Sequence, residues 1–137
     1  MRLIALTFLT AAAAFLVSGA TKPTDSEAIR ATITAQMEAF RLGNDAAAFA
    51  IAAPDIQARF GDAEAFSAMV ERAYPQVYRP HSITFLDLIE ANGLLVKQVL
   101  ITGRNGLETL ALYEMIKIDG DWRINGCMLA QPPGQTI

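Results

Sequence analysis

The chain has 137 residues, with 11 Lys and Arg against 14 Asp and Glu, one His and one Cys. A net charge of −3 without any Lys or Arg cluster excludes the basic patch on which nucleic-acid binding depends. One Cys excludes a disulfide within the chain, and one His beside it is too few for a zinc centre, so no metal and no cofactor is expected.

Residues 1–20, MRLIALTFLTAAAAFLVSGA, carry one charge at Arg2, an apolar run of 15 residues from Leu3 to Val17, and the small residues Ser18, Gly19 and Ala20. That order predicts a secretory signal peptide cut after Ala20, with Ser18 and Ala20 at the minus-three and minus-one positions. The run is shorter than the roughly 20 residues a spanning helix needs, and no Cys follows it to carry a lipid. The expected product is exported to the periplasm with no stable membrane anchor after cleavage. It has 117 residues, 10 basic and 14 acidic, for a net charge of −4. That length suits one domain, over residues 21–131, followed by a C-terminal tail over residues 132–137.

Thr24 followed three residues later by Glu27 predicts a capping box, in which each side chain satisfies the other's backbone N–H. Ile29, Ile33, Met37 and Phe40 then recur at helical spacing and predict one buried face, ending at Gly43. Asn44 is placed to cap a second helix through Ala53, interrupted by Pro54. A single turn bearing Ile56 and Phe60 is expected next, ending at Gly61. Asp62 is placed to cap a helix from Ala63 to Ala73, with Phe66, Met69, Val70 and Ala73 inward. Tyr74-Pro75 ends it.

From His81 the apolar period changes. SITFLDLIE, LLVKQVLIT, LETLALYEMIKI and DWRINGCML predict four strands. Asn92-Gly93 and Asp119-Gly120 supply the positive φ angles of tight hairpins, and Gly103 to Gly106 forms the third connection, which makes the sheet an antiparallel meander. Helices followed by strands predict an α+β domain whose sheet curls over the first helix. The third strand is apolar on both faces, Leu110, Leu112 and Ile116 against Ala111, Tyr113 and Met115. A sheet with one wet face alternates more cleanly, so the second face is expected to cover a pocket or to meet another subunit.

The segments AIRATITAQMEAF, APDIQARFG, FSAMVERAYPQVYRP and DGDWRING resemble, in order, a family of small bacterial proteins named domain of unknown function family 4864. The helix-then-meander layout is similar to the wider NTF2-like, cystatin-like class. The resemblance implies a cone of N-terminal helices packed on a four-stranded, curved antiparallel sheet. That class includes ketosteroid isomerase, scytalone dehydratase and polyketide cyclases beside non-catalytic binding and dimerising domains, so the fold selects no chemistry.

The residues themselves offer few catalytic constellations. No Gly-x-Ser-x-Gly elbow surrounds Ser67 or Ser82, and no Gly-rich turn leads into a helix. Strand alternation puts Cys127 on the face of Arg123, Asn125 and Leu129, opposite Trp122, Ile124 and Met128. Without a nearby cation to stabilise a thiolate, it is expected to act as a small packed hydrophobe. Trp122 reads as a core anchor, Arg123 as a solvated strand charge, and Asp55 and Arg59, four apart on a helix, as a surface ion pair. His81 reads as a surface imidazole at a strand start.

The stretch YPQVYRPH holds Tyr74, Tyr78 and His81, stiffened by two prolines. In NTF2-like enzymes, a pocket lies between the helices and the sheet, and the resemblance implies that Tyr hydroxyls and a carboxylate serve there. Tyr74, Tyr78, His81 and Tyr113 are therefore the candidate ligand-binding residues, and Asp87 or Glu114 the candidate base. The leading expectation is non-catalytic binding of a small apolar or amphipathic molecule, or of a protein partner. The alternatives are a cofactor-free isomerase, dehydratase or cyclase, and a homodimeric interaction module.

Overall fold

The computed structural model describes residues 24–132 and Gly134, so the expected signal peptide and most of the tail after residue 132 lie outside the described residues. Helix α1 spans Asp25–Arg41 and begins as its capping box dictates: the Glu27 N–H donates to the Thr24 hydroxyl at 3.2 Å, and the Thr24 N–H to the Glu27 carboxylate at 3.1 Å. Ile29, Ile33, Met37 and Phe40 are all buried. Asn44 caps α2, Asp45–Ile51, and Asp62 caps α4, Ala63–Ala73, each through a backbone N–H three residues on.

Three helical details depart from the pattern. α2 stops short of Ala53 because Ala52 and Ala53 turn extended and join the sheet edge, the Ala53 N–H donating to the Ile124 carbonyl at 2.8 Å. α3, Pro54–Phe60, makes two turns rather than one, with Pro54 at its first position where no N–H is needed. On α4 the buried stripe runs Phe66, Val70 and on to the half-buried Tyr74, so Ala73 is exposed. A short α5, Pro75–Tyr78, fills the connection to the sheet.

The strands are β1 (Ser82–Ala91), β2 (Leu94–Thr102), β3 (Glu108–Ile118) and β4 (Asp121–Ala130), in the order β1-β2-β3-β4, all antiparallel. Asn92 and Gly93 adopt φ of 54° and 76°, and Asp119 and Gly120 adopt 51° and 84°. Positive φ at both central residues is what a two-residue hairpin turn twisting with its strands requires.

Two bulges bend this sheet. Leu86 and Asp87 together oppose Gln98, and Asn125 is the extra residue between the pairs Met115–Ile124 and Glu114–Gly126. The second bulge overturns the strand parity expected for β4: it puts Ile124 and Cys127 on the same, inward face. The inner face, with Val99, Ile101, Ala111, Tyr113 and Met115, closes on α1, which lies against β4, and on α5, which lies against β2. Phe66 is the hub, its ring centroid 5.5–6.0 Å from those of Phe40, Phe49 and Phe60. Leu110, Leu112 and Ile116 point the other way, away from the helices.

Candidate functional site

The helical layer is fastened to the edge of β4 by polar ties rather than by side-chain packing alone. Gln36 Nε2 donates to the Ala48 carbonyl at 3.1 Å, joining α1 to α2. Gln57 Nε2 donates to the Phe49 and Ala52 carbonyls, both at 3.0 Å, joining α3 to the end of α2. The Arg123 guanidinium donates to the Ala50 carbonyl, so this cation is engaged by the helical layer and is not the free strand charge expected. With that corner pinned, α3 and α4 stand off from β3 and β4, and a cavity of about 230 Å³ lies between them.

Its walls are mainly apolar, with Ile56, Phe60, Phe66, Met69, Val70 and Val77 from the helices. Exposure along the lining gives its depth. Gln36, Phe66, Val70, Val77 and Tyr113 are buried, whereas Arg59 is the one exposed residue and so marks the mouth. Arg59 is also the only ionised side chain in the lining.

Tyr113 and Cys127 face each other across β3 and β4 on the inner side. Tyr113 is 1% exposed, and its buried hydroxyl has no hydrogen-bond partner. Burial pushes its pKa well above the usual tyrosine value, and the adjacent thiol adds to the rise. Burial likewise pushes the Cys127 thiol up to about 12, the Tyr113 hydroxyl offsetting part of that. Both groups are neutral at physiological pH, so Cys127 is no nucleophile, and the Tyr113 hydroxyl has only the neighbouring thiol, a weak acceptor, beside it and no nitrogen or oxygen partner.

Of the candidate binding residues, Tyr74 and Tyr113 belong to the lining. Tyr78 does not: its ring packs 5.3 Å from that of Phe40, and it borders a separate open groove with Arg79 and Arg104. His81 is exposed, with its backbone N–H donating to the Thr102 carbonyl at 2.9 Å. Neither candidate base reaches the cavity. Asp87 is exposed in the β1 bulge, and Glu114 accepts from Asn125 Nδ2 at 3.1 Å. The Glu114 carboxylate lies over Gly126, where an added Cβ would meet Oε2 at 3.3 Å.

Sequence reasoning missed Gln36 and Arg59. Gln36 sits inside the apolar stripe of α1, three residues from Ile33, and a polar residue there was the available signal. Arg59 was assigned to Asp55, yet the ion pairs among the described residues are Glu38–Arg41 at 2.5 Å and Asp25–Lys117 at 3.5 Å. Asp55 and Arg59 form none. No cluster of three His, Cys, Asp or Glu suited to a metal occurs among the described residues.

A model of the family described as domain of unknown function (DUF4864) matches residues 22–137. No curated protein matches the chain. An NTF-2 like protein of unknown function from Shewanella oneidensis MR-1 has a similar structure, with a TM-score of 0.52 at 15% identity over 77% of this chain and 98% of that one. At that identity the likeness speaks for the fold alone.

Proposed function

We propose that this chain, which belongs to the DUF4864 family and has an NTF2-like fold, binds a small apolar or amphipathic molecule between α4 and the β3–β4 edge, without catalysis. One observation carries the reading: a cavity of about 230 Å³ between the helices and β3–β4 is walled mainly by apolar side chains, among them Phe60, Phe66, Met69 and Val70. An apolar ligand or tail in this cavity would remove its own surface and that of the lining from water, at roughly 25 cal/mol per Å². The isomerase, dehydratase or cyclase alternative needs a base, and no carboxylate stands in the lining.

Native mass spectrometry of protein secreted with its own leader and purified gently tests this. A mass excess that disappears on denaturation is the expected result; a cavity that takes up no added apolar probe, with no rise in melting temperature, would overturn it. The same spectrum reads the N-terminal cut, on which the proposal of periplasmic export depends. Support for export comes from the run Leu3 to Val17 and the small residues after it.

A second reading concerns the outer sheet face, where Ile116 is 39% and Met128 64% exposed beside Leu100 and Leu112. Of its two carboxylates on β3, Glu114 is tied to Asn125, and Glu108 stands exposed at the start of the strand. A second copy would bring the same apolar strip of Leu100, Leu112, Ile116 and Met128 to a two-fold contact, so we assign this face to a homodimer. Light scattering should give twice the chain mass, and Leu112→Lys should halve it; a monomer at all concentrations would remove the reading.

A further inference from the structure

Resting on the reading of the cavity as a binding site, we infer that its ligand is an amphipathic carboxylate whose head pairs with Arg59 at the mouth and whose tail lies in the cavity. The argument begins with where charge is tolerated. At the closed end stand Gln36, Phe66, Val70, Val77 and Tyr113, with the half-buried Cys127 beside Tyr113; Gln36 is neutral, and burial holds the Tyr113 hydroxyl and the Cys127 thiol neutral. The buried Lys97, opposite Tyr113 on β2, stands outside the lining with its ammonium over the Phe85 ring, 5.9 Å from the centroid, so an ionised head placed at the closed end would be stripped of water with no charge at that end of the lining to pair with. A charged ligand must therefore enter tail first.

The mouth then decides the sign. Arg59 is the only ionised residue in the lining, and it is exposed, so its guanidinium keeps its water until a ligand arrives. Its helical neighbour Asp55, four residues back and spaced for an ion pair, does not take it, and no other described carboxylate lies within 4.0 Å. A planar guanidinium presents a fork of N–H donors that matches a carboxylate in two parallel hydrogen bonds. An ammonium head would be repelled at the same place, and a neutral head would gain nothing from the charge.

The volume sets the tail. At about 30 Å³ for each methylene- or water-sized group, 230 Å³ accommodates roughly eight. Phe60, Met69 and Ile56 are half-buried and line the route from Arg59 inward, so the tail meets apolar surface all the way.

Titration calorimetry of the mature protein with octanoate, octanol and octylammonium tests this. Octanoate should bind most tightly, by roughly three- to five-fold over octanol, the range of a solvent-accessible ion pair. Arg59→Gln should erase that preference by weakening octanoate more than octanol, and raising the salt should weaken octanoate most. Arg59 is exposed, so the variant should fold, and circular dichroism checks it. Equal binding of octanoate and octanol, unaltered in Arg59→Gln, would overturn the inference and leave the cavity reading standing. No binding of any of the three would overturn both. Met69→Trp, which fills the cavity from α4, should abolish binding of all three; octanoate binding undiminished in a folded Met69→Trp would place the carboxylate site elsewhere and also overturn the inference.

Discussion

The two faces of β3 are both largely apolar but covered differently: on the outer face Leu110 is only 8% exposed, and the cover thins towards Ile116. Ala111, Tyr113 and Met115 are 0%, 1% and 4% exposed against the helices, while Ile116, the next residue along, is 39% exposed on the other side. The helical layer covers the inner face without filling it, and what it leaves is a half-open, mainly apolar cavity bordered by Tyr113. The outer face is open and offers area without a buried polar anchor. A concave, mainly apolar site with a few polar groups in its lining suits a small molecule. An open apolar face suits association by area.

The largest effect expected separates the faces directly. Met115→Ala should cost about 2–5 kcal/mol by urea denaturation, the range for emptying a buried site, whereas Ile116→Ala should cost about 1 kcal/mol or less at low protein concentration. If the Ile116 variant lost as much as the Met115 variant, and more so as concentration rose, the outer face would be covered by a second copy.

The inner pair of acids gives the next effect, through pH. The folded Cys127 thiol titrates at about 12, above the roughly 8.5 of a free thiol, so the unfolded chain releases this proton first. The stabilisation is complete below pH of about 8.5 and lost as pH rises towards the folded value, at up to about 1.4 kcal/mol per pH unit. Between pH 7 and 9.5 the wild type should therefore lose about 1.4 kcal/mol more than Cys127→Ala. A thiol reagent should label Cys127 only after unfolding. Fast labelling of the folded protein would mean that the inner face is open to solvent at β4.

Tyr113→Phe comes third. Removing a hydroxyl that has no partner should raise stability by about 1 kcal/mol, since the ring keeps its packing and the desolvation penalty is removed. A loss of stability would show that the hydroxyl is satisfied in solution, and the anchor that distinguishes the inner face from the outer would be gone.

How much of this was legible in the sequence depends on how local its cause is. The capping box at Thr24 and Glu27, the Asn44 and Asp62 caps, and the Asn-Gly and Asp-Gly turns act within a few residues, and each element they start or join was readable. The double apolar character of β3 was readable too, because alternation is a local pattern. The Asn125 bulge was not, since an extra residue is defined only against the partner strand, and missing it reversed the facing of Cys127 and Ile124. The shortened α2 has the same origin: nothing near Ala52 signals that Ile124 will claim its backbone. In the site, Tyr74 and Tyr113 reached the lining from a list that also held Tyr78 and His81. Tyr78 turned to Phe40, a choice set by packing between α1 and α5 that sequence spacing does not contain.

The smallest effect bears on the mouth of the inner cavity. Spacing alone assigns Arg59 to Asp55, and an i,i+4 pair on an exposed helix is worth about 0.3–0.5 kcal/mol. In the structure the guanidinium forms no such pair and borders the cavity, so a double-mutant cycle with Asp55→Asn and Arg59→Gln should give a coupling within about 0.2 kcal/mol of zero in the absence of ligand. Asn keeps a polar side chain in the first turn of α3, and Gln keeps the length of the Arg stem, so the cycle isolates the charge pair. A coupling of about 0.5 kcal/mol would mean that the ligand must first take Arg59 from Asp55. The preference for a carboxylate at the mouth would then shrink by the same amount, which is about two-fold in affinity.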